Sequence, residues 1–223
     1  MLAPLQDYFC PKDPKSSPLL CTTKGYYFSW LSADLDPNKP SFEETKWIMS
    51  EDVNVERLLD IFTSINADSE DVWNACASFM QHLYRHKPQL VTLGPRVEGL
   101  PDNHPSKPNC LFQLSRLFDS VGNDAECKWL LVHTLELHRG QGSDHQVAET
   151  LRALATANLM LGLYPEGIEQ AKGSLEIVRQ LNNSSQQAES LQQLAQLLYR
   201  DNQLDAAEEV IYQSINLLPE EGE

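Results

Sequence analysis

The stretch LLYRDNQLDAAEEVIYQSINLLPE, Leu197 to Glu220, decides the fold. A helical segment ends in Tyr-Arg, breaks at Asp-Asn-Gln and restarts at once as LDAAEEV, which is typical of two helices joined by a tight turn. The break recurs upstream, because Gly122, Gly162 and Asn202 lie 40 residues apart. Gly and Asn best tolerate the left-handed backbone that ends a helix. A fixed period of this kind predicts stacked copies of one helical hairpin.

Apolar and small residues keep the same period, which divides each copy into a helix A and a helix B. The matching sets are Leu111, Leu151 and Leu191; Leu114, Leu154 and Leu194; Ser115, Ala155 and Ala195; Cys127, Gly167 and Ala207; Thr134, Ser174 and Ser214; and Leu135, Leu175 and Ile215. Small side chains at matching points of two helices allow their axes to approach closely. The pattern therefore predicts a tight contact between helix A and helix B.

This arrangement of small and apolar positions resembles the tetratricopeptide repeat, most clearly in the third copy, from Ala188 to Pro219. The usual repeat has about 34 residues, so the longer period adds a few residues between hairpins. There Gly142 and Asn182 can end one helix while Ser143 or Ser185 caps the next. HEAT-like repeats and a helical bundle with accidental periodicity are the alternatives. The small-residue pattern favours tetratricopeptide-like hairpins.

The chain is predicted to be all-α: three tetratricopeptide-like hairpins, stacked as a short solenoid and preceded by an irregular helical region. Six of the 13 prolines lie in the first 40 residues, which cannot form one long helix. Residues 1–93 are assigned to the irregular region, with helices at Lys24–Asp34, Val53–Ile65 and Ser69–His86. The turn-rich stretch from Gly94 to Pro108 supplies a linker, 94–106, and the repeat domain occupies 107–223.

Charge and composition narrow the classes of partner. The net charge is −15, from 17 basic and 32 acidic residues, and no Lys/Arg cluster offers the basic face of a nucleic-acid binder. No stretch approaches the roughly 20 apolar residues that cross a bilayer, and the start does not resemble a signal peptide. The five cysteines (Cys10, Cys21, Cys76, Cys110 and Cys127) read as reduced, mostly buried thiols. We expect a cytoplasmic protein with neither nucleic acid nor membrane as partner.

No motif predicts catalysis. The G-x-x-x-x-G spacings at Gly94–Gly99 and Gly162–Gly167 lack the Lys and Ser or Thr of a phosphate loop, so we expect no ATP binding. His82 and His86 have zinc-ligand spacing but no evident third ligand. The consecutive residues of Ser143-Asp144-His145 cannot converge as a triad. The sequence predicts a non-enzymatic protein without a metal or cofactor.

The more credible site is a groove lined by residues of helix A that lie off its packing stripe. By analogy with the repeat family, these are Phe112, Arg116, Asp119, Arg152, Thr156, Leu159, Gln192, Gln196 and Tyr199. The corresponding pairs contain no Lys with Asn, so a clamp for a C-terminal carboxylate is not expected. Arg116 and Arg152 could still bind an acidic or amphipathic peptide of a protein partner. A merely solvated face is the other interpretation.

The last helix raises a second possibility. Leu204, Ala207, Ile211, Ile215 and Leu218 are predicted to face the partner helix within the hairpin. An exposed apolar end patch of Ala206, Val210 and Leu217 then flanks them, and would drive weak self-association.

Read as a whole, the chain resembles fungal STAND-type proteins, in which an NB-ARC or NACHT nucleotide-switch module precedes helical repeats. The resemblance is carried by APLQDYFCPKDPKSSPLLCTTK, WIMSEDVNVERLLDIF, GLPDNHPSKPNCLFQLSRLFDSVGN and QLDAAEEVIYQSINLLPEEG. It implies a winged-helix end near the N-terminus and a repeat-type sensor or partner-binding scaffold behind it. The alternative is an accessory subunit that regulates a separate NB-ARC/NACHT protein in trans. No nucleotide module precedes Met1 here, so neither ATPase activity nor switching is expected of this chain.

Overall fold

The structure is a computed structural model that describes residues 42–86, 89 and 91–217, except for the side chains of residues 42–52 and 54. Within these ranges every regular element is an α-helix, which confirms the predicted fold class. The chain divides into two compact units, residues 1–121 and 122–223. The helix predicted at Lys24–Asp34 lies outside the described residues. The predicted domain boundaries stay a prediction.

The first unit contains four described helices: α1 (Phe42–Ile65), α2 (Glu70–His86), α3 (Gly94–Glu98) and α4 (Lys107–Ser120). The two predicted helices in this part are present, although α1 begins earlier than expected. The predicted connector is less irregular than expected, because α3 lies inside it. In the packing of the unit, α2 contacts both α1 and α4, and α3 contacts α4.

Buried cysteines join the core of the first unit. The Cys110 thiol donates to the Trp73 carbonyl oxygen at 3.2 Å, which links α4 to α2. Burial raises the pKa of Cys110 to about 12 and also raises the pKa of Cys76, so both thiols stay protonated and unreactive. Cys127, in the second unit, is buried too. The expectation of buried thiols is confirmed for these three; Cys10 and Cys21 lie outside the described residues.

A buried lysine organises the segment between α3 and α4. Lys107 is only 3% exposed. Its ammonium donates to the carbonyl oxygens of Glu98, at 3.2 Å, and Leu100, and to Asp102 Oδ1 at 2.7 Å. A desolvated charge is tolerated only when its donors are satisfied, and here carbonyls of the chain supply most of the acceptors. Lys107 therefore fixes the path of the loop that leads into α4.

The second unit contains five described helices: α5 (Asp124–Gln141), α6 (Asp144–Met160), α7 (Tyr164–Gln180), α8 (Ser184–Arg200) and α9 (Leu204–Ile215). Their starts follow the 40-residue period, and all five break positions have positive φ: 75° at Gly122, 70° at Gly142, 74° at Gly162, 53° at Asn182 and 62° at Asn202. The predicted turn chemistry is confirmed. The predicted cap at Ser185 is wrong, because Asn183 accepts from the Gln186 amide at 3.1 Å and Ser185 lies inside α8.

The packing in the second unit follows the small residues. Helices that are neighbours in the chain contact each other from α5 to α9, and α6 also contacts α8. The predicted small positions are buried at Ala155, Gly167, Ser174, Ala195, Ala207 and Ser214. The hydroxyl of Ser174 donates to the Ala148 carbonyl oxygen at 2.8 Å, and that of Ser214 to Ala188 at 3.2 Å, 40 residues on. The same contact is thus repeated in both complete hairpins of this unit.

A histidine joins α5 to α6. The Nδ1 atom of His138 lies 3.0 Å from the Thr150 hydroxyl oxygen, and that hydroxyl donates to the Gln146 carbonyl at 2.8 Å. Burial lowers the pKa of His138, so its imidazole is neutral at pH 7. His138 is therefore a packing residue.

Volume at the small positions should decide the stability of the third hairpin. Ala195 and Ala207 are 4% and 3% exposed and belong to one apolar cluster, whereas Gln192 is exposed. We expect Ala195→Leu and Ala207→Leu each to lower the free energy of unfolding by about 1–3 kcal/mol through overpacking. Gln192→Leu should change it little. Urea denaturation ranks the three variants, and equal stability would contradict the tight contact.

Candidate partner-binding surface

The nine predicted groove residues divide between the two units. Phe112, Arg116 and Asp119 lie on α4 in the first unit; Arg152, Thr156 and Leu159 lie on α6, and Gln192, Gln196 and Tyr199 on α8, both in the second. The predicted groove residues therefore fall into two sets, one in each unit.

In the first unit two of the three predicted residues serve packing. Phe112 is 7% exposed. The Arg116 guanidinium lies 3.9 Å from the centre of the Tyr84 ring, a cation–π contact between α4 and α2. Asp119 is half-buried. This part of the predicted groove thus offers little open surface.

In the second unit, polar side chains of α8 hold it against α6. The Gln193 amide donates to the Arg152 carbonyl oxygen at 2.8 Å and to the Thr156 hydroxyl at 2.6 Å. Arg152 Nη1 lies 3.4 Å from Glu189 Oε2. The Gln186 amide lies 3.0 Å from His145 Nε2. We call these contacts the α6–α8 seam.

The seam shows how the two helices run. The α6 partners His145, Arg152 and Thr156 meet α8 partners that follow in the same chain order. The helices are therefore parallel, and their C-terminal ends lie at the same end of the surface. Sequence reasoning missed Gln193 and Glu189. The available signal was that both lie within one helical turn of Gln192, the residue 40 positions after Arg152.

Beside the seam, α8 presents an exposed row that we call the α8 face: Gln192, Gln196 and Tyr199. The residues are about one helical turn apart and therefore share one side of the helix. The Tyr199 side chain is 65% exposed. Leu159 instead packs against the apolar core. Met160, which sequence reasoning passed over, is 62% exposed at the C-terminal end of α6.

The charge of this surface is small. Arg152 was expected to attract an acidic peptide, but its guanidinium is paired with Glu189, and both side chains are partly exposed, at 40% and 48%. Such a pair contributes little to stability, but Glu189 offsets the charge of Arg152. The exposed residues themselves are two neutral amides and a phenol. The surface is suited to hydrogen bonding and apolar contact more than to charge recognition.

The predicted end patch on α9 needs correction. Ala206, Val210 and Leu217 are partly buried and pack against the core cluster. The predicted inward residues Leu204, Ile211 and Ile215 are instead 53%, 48% and 56% exposed. Ala207 was also predicted to face inward and is 3% exposed, whereas Leu218 lies outside the described residues. The close contact is instead made along the line of Ala207 and Ser214, and that line brings Val210 and Leu217 with it.

The other candidate motifs of the sequence do not form binding or catalytic sites within the described residues. His82 is buried and His86 exposed, with ring centres 4.7 Å apart. Across residues 42–86, 89 and 91–217, no group of three His, Cys, Asp or Glu is placed to hold a metal ion. Ser143 occupies the N-cap of α6 without a side-chain capping bond. No helix in the described ranges combines the length and apolar character needed to cross a membrane.

Comparison with known proteins agrees with this architecture. Residues 146–220, which hold the second and third hairpins, match the sequence model of the tetratricopeptide repeat family. None of the curated protein sequences matches the chain.

Two solved structures share the fold. They are a Podosopora anserina protein described as a kinesin light chain with nearly identical TPR-like repeats, and a single-substitution variant of it. Each is 17% identical to this chain over 78% of it and 92% of the other chain, with TM-scores of 0.56 and 0.57. The chain therefore has the tetratricopeptide-like solenoid fold, a scaffold type that generally mediates protein–protein interaction.

Proposed function

We propose that the chain is a non-catalytic protein-interaction scaffold that binds a segment of a partner protein on the α8 face. The observation that carries the proposal is the exposed row of Gln192, Gln196 and Tyr199 on a helix whose position is fixed by the α6–α8 seam. A rigid surface loses little conformational freedom on binding, which favours affinity.

The chemistry of the face indicates the kind of segment it would take. Each glutamine amide has two donors and an acceptor, which can pair with the backbone of a peptide. Tyr199 offers a large ring with few rotatable bonds, a residue type enriched at binding hot spots. Met160 adds an adaptable apolar side chain at the same end. The partner segment is therefore expected to carry an apolar anchor among neutral polar residues, and an acidic tail is not required.

The experiment compares two exposed tyrosines of the second unit. Tyr199 on α8 is 65% exposed and Tyr212 on α9 is 60% exposed. Peptides selected from a displayed library against the wild-type chain are titrated against each alanine variant by fluorescence anisotropy. Tyr199→Ala should weaken binding at least about tenfold, as expected for a hot-spot aromatic, and Tyr212→Ala should not. Equal affinities for both variants would contradict binding on the α8 face.

The architecture to which the chain belongs is a second part of the proposal. The residue resemblance supports a cytoplasmic sensor or partner-binding region of a STAND-like fungal architecture, with an accessory role to a separate NB-ARC/NACHT protein as the alternative. A nucleotide-module reading frame directly upstream of Met1 in genomic DNA would favour the first. Stable binding of a separately expressed nucleotide module would favour the second. The weak self-association predicted from Ala206, Val210 and Leu217 is not part of the proposal, because these side chains pack against the core cluster.

A further inference from the structure

The last described helix has an apolar side that no other described helix of its unit covers. Its members are Leu204, Ile211 and Ile215, which are 53%, 48% and 56% exposed. They recur at spacings of seven and four residues and so lie on one side of α9. We call this side the end face. The adjacent side of α9, which contains Ala207 and Ser214, is buried in the hairpin.

The repeat shows what normally covers this position. The residues 40 positions before Ile211 and Ile215 are Ala171 and Leu175 on α7, and these are 0% and 5% exposed. Both belong to the cluster that contains Leu191, Leu194 and Leu198 of α8. One period earlier the equivalent residues of α5 are Leu131 and Leu135, also buried, and α5 contacts α6. In both earlier helices, therefore, the equivalent residues are buried, and the following helix packs against the helix that carries them.

The geometry of α7 and α8 also gives the direction of such a helix. A Cβ added at Gly167, in the first turn of α7, would lie 2.6 Å from Leu197 Cδ2, near the end of α8. The start of α7 thus lies beside the end of α8, and the two helices are antiparallel. A helix on the end face in the same arrangement would place its last turn beside the first turns of α9.

The first turns of α9 are acidic. They carry Asp205, Glu208 and Glu209, and α9 contains no Lys or Arg. Glu208 stands one period after Ile168, which is 7% exposed beneath α8. A helix docked on α9 as α8 is docked on α7 would partly desolvate the Glu208 carboxylate. Such a charge is costly unless a cation pairs with it, so the occupant needs Lys or Arg in its last turn, which the helix dipole also favours.

We propose that the end face binds an amphipathic helix of a partner protein, antiparallel to α9, with an apolar stripe and a Lys or Arg in its last turn. A second copy of this chain is disfavoured as the occupant, because its own end face brings three carboxylates and no cation. The end face is separate from the α8 face, so this proposal is independent of the proposed binding on the α8 face.

The test uses the full chain and a labelled helical peptide. The probe is the α8 sequence, SSQQAESLQQLAQLLYR, which covers the equivalent face of α7 and ends in a basic residue. Fluorescence anisotropy should show saturable binding that Ile215→Lys weakens at least about tenfold. Asn216→Lys, which places the same charge on an exposed neighbour, should leave binding unchanged.

Charge reversal tests the predicted contact with Glu208. The Glu208→Lys chain should bind this peptide more weakly, and should prefer a peptide whose terminal arginine is replaced by glutamate. Circular dichroism of each variant checks that it is folded. Absence of binding, or an affinity that Ile215→Lys does not weaken, would overturn the proposal. A dimer of the chain alone in sedimentation equilibrium that disappears in Ile215→Lys would assign the face to self-association and would also overturn it.

Discussion

Replacing Lys107 with methionine is expected to lower the free energy of unfolding of the first unit by about 2–4 kcal/mol, because two carbonyl acceptors would lose a charged donor. Those acceptors belong to Glu98 and Leu100, and the ammonium also pairs with Asp102. Methionine matches the length of the lysine stem and leaves little empty space. The loss of stability therefore measures the contribution of the hydrogen bonds that the Lys107 ammonium donates. Hydrogen exchange should speed up between α3 and α4.

The matched control is Lys172→Met, the same change at an exposed lysine of α7. It should change stability by less than about 0.5 kcal/mol, as is usual for surface substitutions. If the two variants had equal stability, the Lys107 ammonium could not be holding the loop. A third variant, Asp102→Asn, should cost less than Lys107→Met because the Asp102 side chain is 68% exposed.

The contrast between the units shows what a sequence can predict. In the second unit the helix limits follow from the chain alone, because a Gly or Asn such as Gly162 or Asn202 must occupy each left-handed break and the breaks recur. The position of Lys107 could not be predicted in the same way. Its partners are backbone carbonyls of a non-repeating loop, and no residue pattern encodes where a carbonyl points.

The candidate surface was predictable only in part. Projecting helix A placed Gln192, Gln196 and Tyr199 on an exposed row, and the structure shows them exposed. The same projection failed at Phe112, which is buried in a unit where α4 packs on α2 and α3. On α9 the projection placed Ala207 inward correctly but continued the packed stripe to Ile211 and Ile215. In the structure the packed side continues instead to Val210, Ser214 and Leu217. Periodicity fixes where helices lie, but neighbours decide which side faces solvent.

Gly167→Ala should lower the free energy of unfolding of the second unit by about 1–3 kcal/mol, the usual cost of overpacking. The added Cβ would meet Leu197 Cδ2 at 2.6 Å and the Ala155 carbonyl oxygen at 3.4 Å. Leu197 is 0% exposed and has little room to turn away. Alanine ordinarily favours a helix over glycine by about 1 kcal/mol. The sign of the change therefore shows that the close approach of α6, α7 and α8 outweighs helix propensity.

Gly173→Ala is the matched control, because it makes the same change on the same helix where the nearest atom, Leu151 Cδ1, lies at 3.4 Å. It should leave stability unchanged or raise it by up to about 1 kcal/mol. Leu197→Ala relieves the clash, so in a double-mutant cycle Gly167→Ala should cost less when Leu197 is already alanine. Thermal and urea unfolding of the four variants measure this coupling. Strictly additive effects would mean that Gly167 is not the point where α7 meets the next repeat.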